Sequence, residues 1–394
     1  MVWRKVLIGM LAVAPAVCSV AVSLAAEVPG LVKEKPATGP AVETPRGFMV
    51  PYKETVPGSD VTFEMIPIPG GRFLMGSPDN EPGRSADEGP QVEITVPPFW
   101  IAANEVTWAE YRPFMEMFIV FKNFEGKGIR KVTDQNRIDA ITVPTELYEP
   151  TFTFEFGDDP QLPAVSMTQY AAKQYTKWIS LVAGLQYRLP MESEWEYACR
   201  GGTTTAYSFG GDPAALGEYA RFAGNSDNNG PRKVRQGKPN PFGLYDMHGN
   251  AAEWTLDEYF DTGYAYLKGK TDLTPAKAFV MPQREWPRVV RGGSWELDAA
   301  ACRSAARFPS DMVKWKETDP NLPKSPWWMT DDPARGVGFR MVRMLDDVPR
   351  EEIEKHWGID LDQLKSDVEF RIIQGRGVFG IVDPELPKAM KEAK

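Results

Sequence analysis

Histidine is almost missing from this chain: 394 residues hold only His248 and His356. A three-histidine zinc centre and a two-histidine, one-carboxylate iron centre are thereby excluded. Basic residues are outnumbered, 45 against 54 acidic ones, leaving a formal charge of −9. An acidic chain without a basic cluster is a poor candidate for binding nucleic acid or an anionic membrane, and neither is expected as a partner. Beyond the first 26 residues no stretch approaches the roughly 20 apolar residues of a membrane span. Glycine (34) and proline (35) are plentiful instead, which points to a turn-rich fold and away from helical bundles.

Residues 1–26 read as a secretory signal. Arg4 and Lys5 precede an apolar run from Val6 to Ala26, and the small residues Ser23 and Ala25 lie just before Glu27. This order implies export to a periplasm or the extracellular space, with cleavage near Ala25 or Ala26. The competing reading is an uncleaved anchor, which Pro15 and the small-residue exit disfavour. Cleavage removes Cys18 and leaves Cys199 and Cys302. In an exported chain such a pair is a candidate disulfide; two buried free thiols are the alternative.

Residues 27–59 are proline-rich and predict an extended linker. Phe63–Ile68 and Arg72–Gly76, joined by Gly70-Gly71, predict a hairpin, and Gln91–Val96 a further strand. Thr107 caps a helix toward Phe118, kinked or cut short at Pro113. Thr151–Phe156 alternates as a strand. Ser166 and Gln169 form a capping box before apolar residues at three-four spacing from Met167 to Val182, stopped by Gly184. A shorter helix spans Glu192–Cys199. Past Leu345 the pattern predicts a capped helix near Asp347 and Pro349, then a hairpin of Glu369–Gln374 with Val378–Val382. The division is therefore 1–26 signal, 27–59 linker, 60–344 main domain and 345–394 helix-and-hairpin extension.

Several segments, in this order, resemble the formylglycine-generating enzyme (sulfatase-modifying factor) family. They are Ile68–Ser77, Asn104–Thr107, Tyr187–Gly202, Asn240–Trp254, Arg291–Trp295 and Gly336–Arg340. The resemblance covers roughly residues 61–344 and implies an α+β fold similar to C-type lectins, with few helices, short strands and much loop. Formylglycine-generating members oxidise a sulfatase cysteine with copper(I) and oxygen, the metal held by two thiolates in a Cys-four-residues-Cys spacing after Gly-Gly-Ser. Here those positions hold Leu297 and Cys302, counted from Ser294. Leucine cannot ligate copper, so copper is not expected, and Cys302 and Ser294 are catalytic candidates only if oxidase activity survives. The histidine-rich iron branch of the family is excluded by the histidine count.

The resemblance also implies a calcium loop. Asp246 and Glu253 would supply carboxylates, and Gly249 and Ala251 backbone carbonyls, the hard oxygen donors Ca²⁺ requires. The alternative is a solvated turn with Glu253 paired to an arginine. In relatives a cysteine at the Cys199 position pairs with one at the place of Ser304. Cys302 lies two residues away, on the same face if the segment is a strand, and a Cys199–Cys302 disulfide is the expectation. Trp327 and Trp328 are either a ligand platform or a core plug.

Three functions remain in play. The favoured one is an exported, non-oxidising member that binds an extended peptide, protein or other ligand in the groove after Gly-Gly-Ser. The others are a copper-dependent oxidase with unusual ligands, and an assembly component docking through its terminal segments.

Overall fold

The computed structural model describes residues 28–147, 150–317 and 324–392; the candidate signal lies outside the described residues. The expected linker is not one. Its strands β1 (Leu31–Val32), β2 (Val42–Thr44) and β3 (Gly47–Met49) form an antiparallel sheet in the order β1-β3-β2. Its prolines fall outside these strands, where no ladder N–H is needed. Distant residues tie the sheet down. Arg343 donates to the Pro29 carbonyl at 2.9 Å, and Met49 is fully buried in the main core.

The chain continues through β4 (Tyr52–Thr55), β5 (Thr62–Ile68), β6 (Gly71–Met75), β7 (Val92–Val96) and β8 (Phe99–Ala102). The expected β5–β6 hairpin does not form. β5 pairs with β4 and β8, while β6 pairs with β7, so Gly70-Gly71 moves the chain between sheets rather than folding it back. Thr107 caps α1 (Trp108–Met115), and its hydroxyl donates to Glu110 at 2.9 Å. The helix breaks at Glu116 before α2 (Met117–Lys127), as Pro113 led us to expect. β9 (Ala140–Pro144) follows. The expected strand at 151–156 is instead a helical turn, Pro150–Thr153.

The long helix α3 (Gln169–Ala183) is capped by Thr168, whose side chain accepts from the Ala171 amide, rather than by Ser166. Gly184 ends it in the left-handed region at φ 67°. β10 (Tyr187–Arg188) leads into α4 (Glu192–Arg200). Then come β11 (Ala252–Glu258), β12 (Arg288–Arg291), β13 (Arg307–Pro309), α5 (Met312–Lys316), β14 (Val337–Gly338) and β15 (Val342–Met344). One sheet runs β10-β15-β8-β5-β4. A second runs β13-β12-β11-β14, with β11 and β14 parallel. The architecture is the expected α+β one of short strands and few long helices. No described helix is long and apolar enough to cross a membrane.

The C-terminal extension departs most from expectation. It forms α6 (Arg350–Trp357), α7 (Asp362–Ile373), β16 (Gly377–Ile381) and α8 (Leu386–Glu392). Residues 369–373 are helical because Leu364, Val368 and Arg371 recur at helical spacing on the buried face of α7. β16 therefore pairs with β9 over five residues instead of closing a local hairpin. The Trp357 indole donates to the Tyr187 carbonyl at 2.7 Å, and Lys177 pairs with Glu354 at 2.9 Å. Leu364, Val378 and Leu386 join the same hydrophobic core as Trp178 and Trp254. The extension is thus part of one folded unit. Leu386→Ala should cost about 2–5 kcal/mol in a single cooperative unfolding transition; calorimetry resolving a separate low-temperature transition would contradict this.

Candidate functional site

Two places converge on the motif residues: a groove beside Ser294 and a buried polar cluster behind it. The groove encloses 760 Å³. Its floor is the parallel contact of Ala252 with Val337. Trp286 and Pro287 line one part of it and Phe308, Pro309 and Trp315 another, together with Ser294, Glu296 and Leu297. Trp315 organises the aromatic wall. Its ring lies 5.6 Å from Trp254, 6.0 Å from Phe308 and 6.4 Å from Trp286 between centroids. Asp311 caps α5 by accepting from the Val313 and Lys314 amides, which orients Trp315 at the helix end.

Cys302 does not share this groove. Residues Ala299–Cys302 form a 3-10 turn, not the expected strand, and β13 begins only at Arg307. The turn carries the Cys302 sulfur away from Leu297 into a separate cluster with Ala206, Tyr207, Leu216 and Ala220. A Cβ added at Gly293 would lie 2.6 Å from this sulfur, so the Gly-Gly-Ser turn, with Gly293 at φ 70°, closes over it. Burial raises the Cys302 thiol pKa well above its ordinary value. Leucine at one copper position and a secluded, protonated thiol at the other do not fit a two-thiolate copper site.

The expected disulfide is likewise not formed; Cys199 and Cys302 are both buried free thiols. The Cys199 sulfur faces Ser304, with 3.7 Å between sulfur and hydroxyl oxygen. Ser304 is the position at which the family resemblance implied a partner cysteine. The turn at 299–302 denies Cys302 the same face, so the two-residue argument for a strand does not apply. Burial pushes the Cys199 thiol up to about 12. Beside it His248 is held in one tautomer. Its Nδ1–H donates to the Cys302 carbonyl at 2.9 Å, and Nε2 accepts from the Ser208 amide at 3.1 Å. Burial drops its pKa to about 4, so this imidazole is a neutral core strut.

Residues 246–253, where a calcium loop was expected, form a tight turn running into β11, and among the described residues no group of three or more acidic, histidine or cysteine side chains is placed to hold a metal ion. Asp246 and Asn250 both adopt positive φ, 58° and 67°. Gly249, at φ 152°, passes so close to the Arg221 carbonyl that a Cβ would meet it at 2.4 Å. Glu253 is already committed: Arg340 grips it through Nε and a terminal nitrogen, both at 2.7 Å, and the Trp195 indole donates at 2.8 Å. This is the arginine-paired alternative for Glu253. Asp246 differs. Its Oδ2 accepts from the Arg235 amide at 2.7 Å, but Oδ1 is buried without a hydrogen-bond partner, and Arg232 stands 3.8 Å off. Glu105 was not singled out from sequence, although it lies in the Asn-Glu-Val-Thr motif. It accepts from the Asn250 side chain and the Ala251 amide while its Oε2 stays unpartnered. Burial and the neighbouring Asp246 raise its pKa well above the ordinary carboxylate range. Trp286, Phe308 and Trp315 were missed as well, because they gather only through tertiary pairing. Trp327 and Trp328 are buried plugs, 1% and 8% exposed.

With this geometry in hand, comparison with known proteins is direct. The sulfatase-modifying factor enzyme 1-like domain model matches residues 53–345, and the chain belongs to that family. It is 30% identical over 272 residues to the inactive C-alpha-formylglycine-generating enzyme 2 of Mus musculus, covering 60% of this chain and 75% of that one. It is 27% identical over 288 residues to the formylglycine-generating enzyme of Mycobacterium tuberculosis, covering 63% and 93%. A serine/threonine-protein kinase pkn1 of Chlamydia caviae is 29% identical over 247 residues, 62% of this chain; the match spans only 35% of the kinase. Among solved structures, PvdO from Pseudomonas aeruginosa aligns over 74% of this chain and all of its own, with TM-score 0.52 and 26% identity.

The Cys199–Ser304 contact yields a direct prediction. Ser304→Cys, exported through an oxidising compartment, should form a bridge to Cys199. Peptide mapping should recover Cys302 as the one free thiol; recovery of a Cys302 bridge instead would refute the assigned geometry.

Proposed function

We propose that this chain is an exported, non-oxidising member of the family that binds an extended peptide segment in the groove beside Ser294. The observation that carries this reading is that Leu297 and an aromatic wall line the groove while the Cys302 sulfur lies in another cluster. A concave, largely apolar groove with a few polar groups suits ligand binding, whereas neither described cysteine offers an accessible thiolate for redox chemistry. Similarity to a relative named as inactive supports the same reading. Export rests on the 1–26 pattern alone. The assembly-component reading loses its motivation, since the terminal segments expected to dock elsewhere pack onto this domain.

The test is turnover. The reduced protein, supplied with copper(I), oxygen and a Cys-x-Pro-x-Arg peptide, should give no formylglycine by mass spectrometry, and copper should not bind stoichiometrically. Turnover that disappears in Cys302→Ala would overturn the proposal.

The Asp246 loop is proposed to hold calcium. The buried, unpartnered Oδ1 of Asp246 is the support; a cation there would relieve a desolvated carboxylate. Asp246 would be the ligating carboxylate, with Gly249 and Ala251 contributing carbonyls, and Glu253 would hold Arg340. Calcium should then raise the melting temperature, because a ligand specific to the folded state stabilises it by about 2.7 kcal/mol at 100 times its Kd. Asp246→Asn should abolish that shift. Glu253→Gln should lower the melting temperature with or without calcium. A melting temperature indifferent to chelator and calcium would remove the site from the account.

A further inference from the structure

The groove's lining has two walls that meet at the Trp286–Trp315 ring contact, 6.4 Å between centroids, and both are braced by residues beyond the stretch that the family model matches. The first wall is Trp286-Pro287, immediately followed by Arg288. The Arg288 guanidinium clamps the Asp360 carboxylate with two bonds of 2.7 and 2.8 Å. Lys173 adds a third contact to Asp360 at 3.1 Å, and Gln169 accepts from Arg288. The Asp360 side chain is 2% exposed. Burial alone would raise its pKa, but Lys173 and Arg288 outweigh burial and hold it well below the ordinary carboxylate range. Leu364 of α7 borders the same small cavity as Trp254, Trp286 and Arg288.

The second wall is α5 with Trp315. The Thr330 amide donates to the Trp315 carbonyl at 3.1 Å, and the Lys316 ammonium donates to the Ser325 carbonyl. The segment 325–330 is in turn locked by Trp327. Its indole donates to Thr142 on β9 at 3.1 Å. Its ring lies so close to Gly377 of β16 that a Cβ there would approach it to 2.5 Å. The C-terminal extension thus reaches one wall through Asp360 and the other through Gly377.

We infer that the C-terminal extension positions the aromatic lining of the groove, with Asp360 as a positioning residue for Trp286 and Gly377 as the seat that places Trp327 and, through it, Trp315. This rests on the reading of the groove as the binding site, and it adds that the groove's selectivity is written partly outside the family domain. A charge-paired fork is directional, so losing it frees Arg288 and the wall beside it. A methyl at Gly377 displaces Trp327 in a densely packed interior.

The test reads the walls themselves, so its outcome is independent of whether any ligand is found. Amide hydrogen exchange on the full chain is followed in peptides covering 284–290 and 311–317, with 62–68 in β5 as the internal control. Asp360→Asn should speed exchange about tenfold or more in 284–290 and alter the near-ultraviolet circular dichroism of the tryptophan cluster, with 62–68 unchanged. Gly377→Ala should act instead on 311–317. Arg288→Lys keeps the ion pair but loses the fork and serves where Asp360→Asn destabilises the whole fold; it should loosen 284–290 to a lesser degree. Exchange changes confined to residues 358–362, or wall peptides moving only in step with β5 in all three variants, would overturn the inference.

Discussion

The arrangement depends on one buried ion pair, the fork between Arg340 and Glu253. Both side chains are essentially without solvent, 0% and 1% exposed. Taking two charges out of water is costly, and the cost is recovered only when every donor finds an acceptor. Arg340 also donates to the Ala102 and Tyr245 carbonyls, so each of its three nitrogens is bonded, and Glu253 also accepts from Trp195. One pair therefore joins β8, the loop before Asp246, α4, β11 and the segment after β14. It also holds Glu253 opposite Gly338 in the parallel β11–β14 pair, one residue from the groove floor of Ala252 and Val337. Removing either partner would leave an uncompensated charge, a loss of about 3–5 kcal/mol.

The same logic repeats around the core. Arg291 and Arg307 meet Glu192, Arg291 also reaches Glu196, and Arg303 meets Glu81 and Glu88. These forks lie between α4, β12, β13 and the loop after β6. They explain how a chain with short strands and much irregular backbone holds a defined shape. Directional charge-assisted bonds supply what long ladders of secondary structure would supply elsewhere. The groove is the apolar exception within this frame, and its aromatic walls lean on the C-terminal extension.

The order of motifs from Ile68 to Arg340 carried the family and the fold, and the Leu297 substitution carried the doubt about oxidation. What sequence could not show was direction. Cys302 was placed on a strand by resemblance to other family members, but a 3-10 turn intervenes and aims its sulfur elsewhere. Phe370 and Ile373 made the end of α7 resemble a strand, yet they are 44% and 83% exposed, while the helical set at 364, 368 and 371 does the packing. Residues 27–59 looked like a linker because they are proline-rich with few apolar clusters, yet short strands of two to four residues form there, and Arg343 holds Pro29 from over 300 residues away. Trp286 and Trp315 are unremarkable in sequence and become a site only when β12, β13 and α5 bring them together.

The central claim is that the family's catalytic thiol position has become structural. Thiol accessibility tests it most directly. The native, reduced protein would be labelled with iodoacetamide and mapped by mass spectrometry, then labelled again after denaturation. The account predicts that Cys199 and Cys302 both stay unmodified while the fold is intact and are both labelled once it is lost. Rapid labelling of Cys302 in the native state would place its sulfur at the groove and contradict the account.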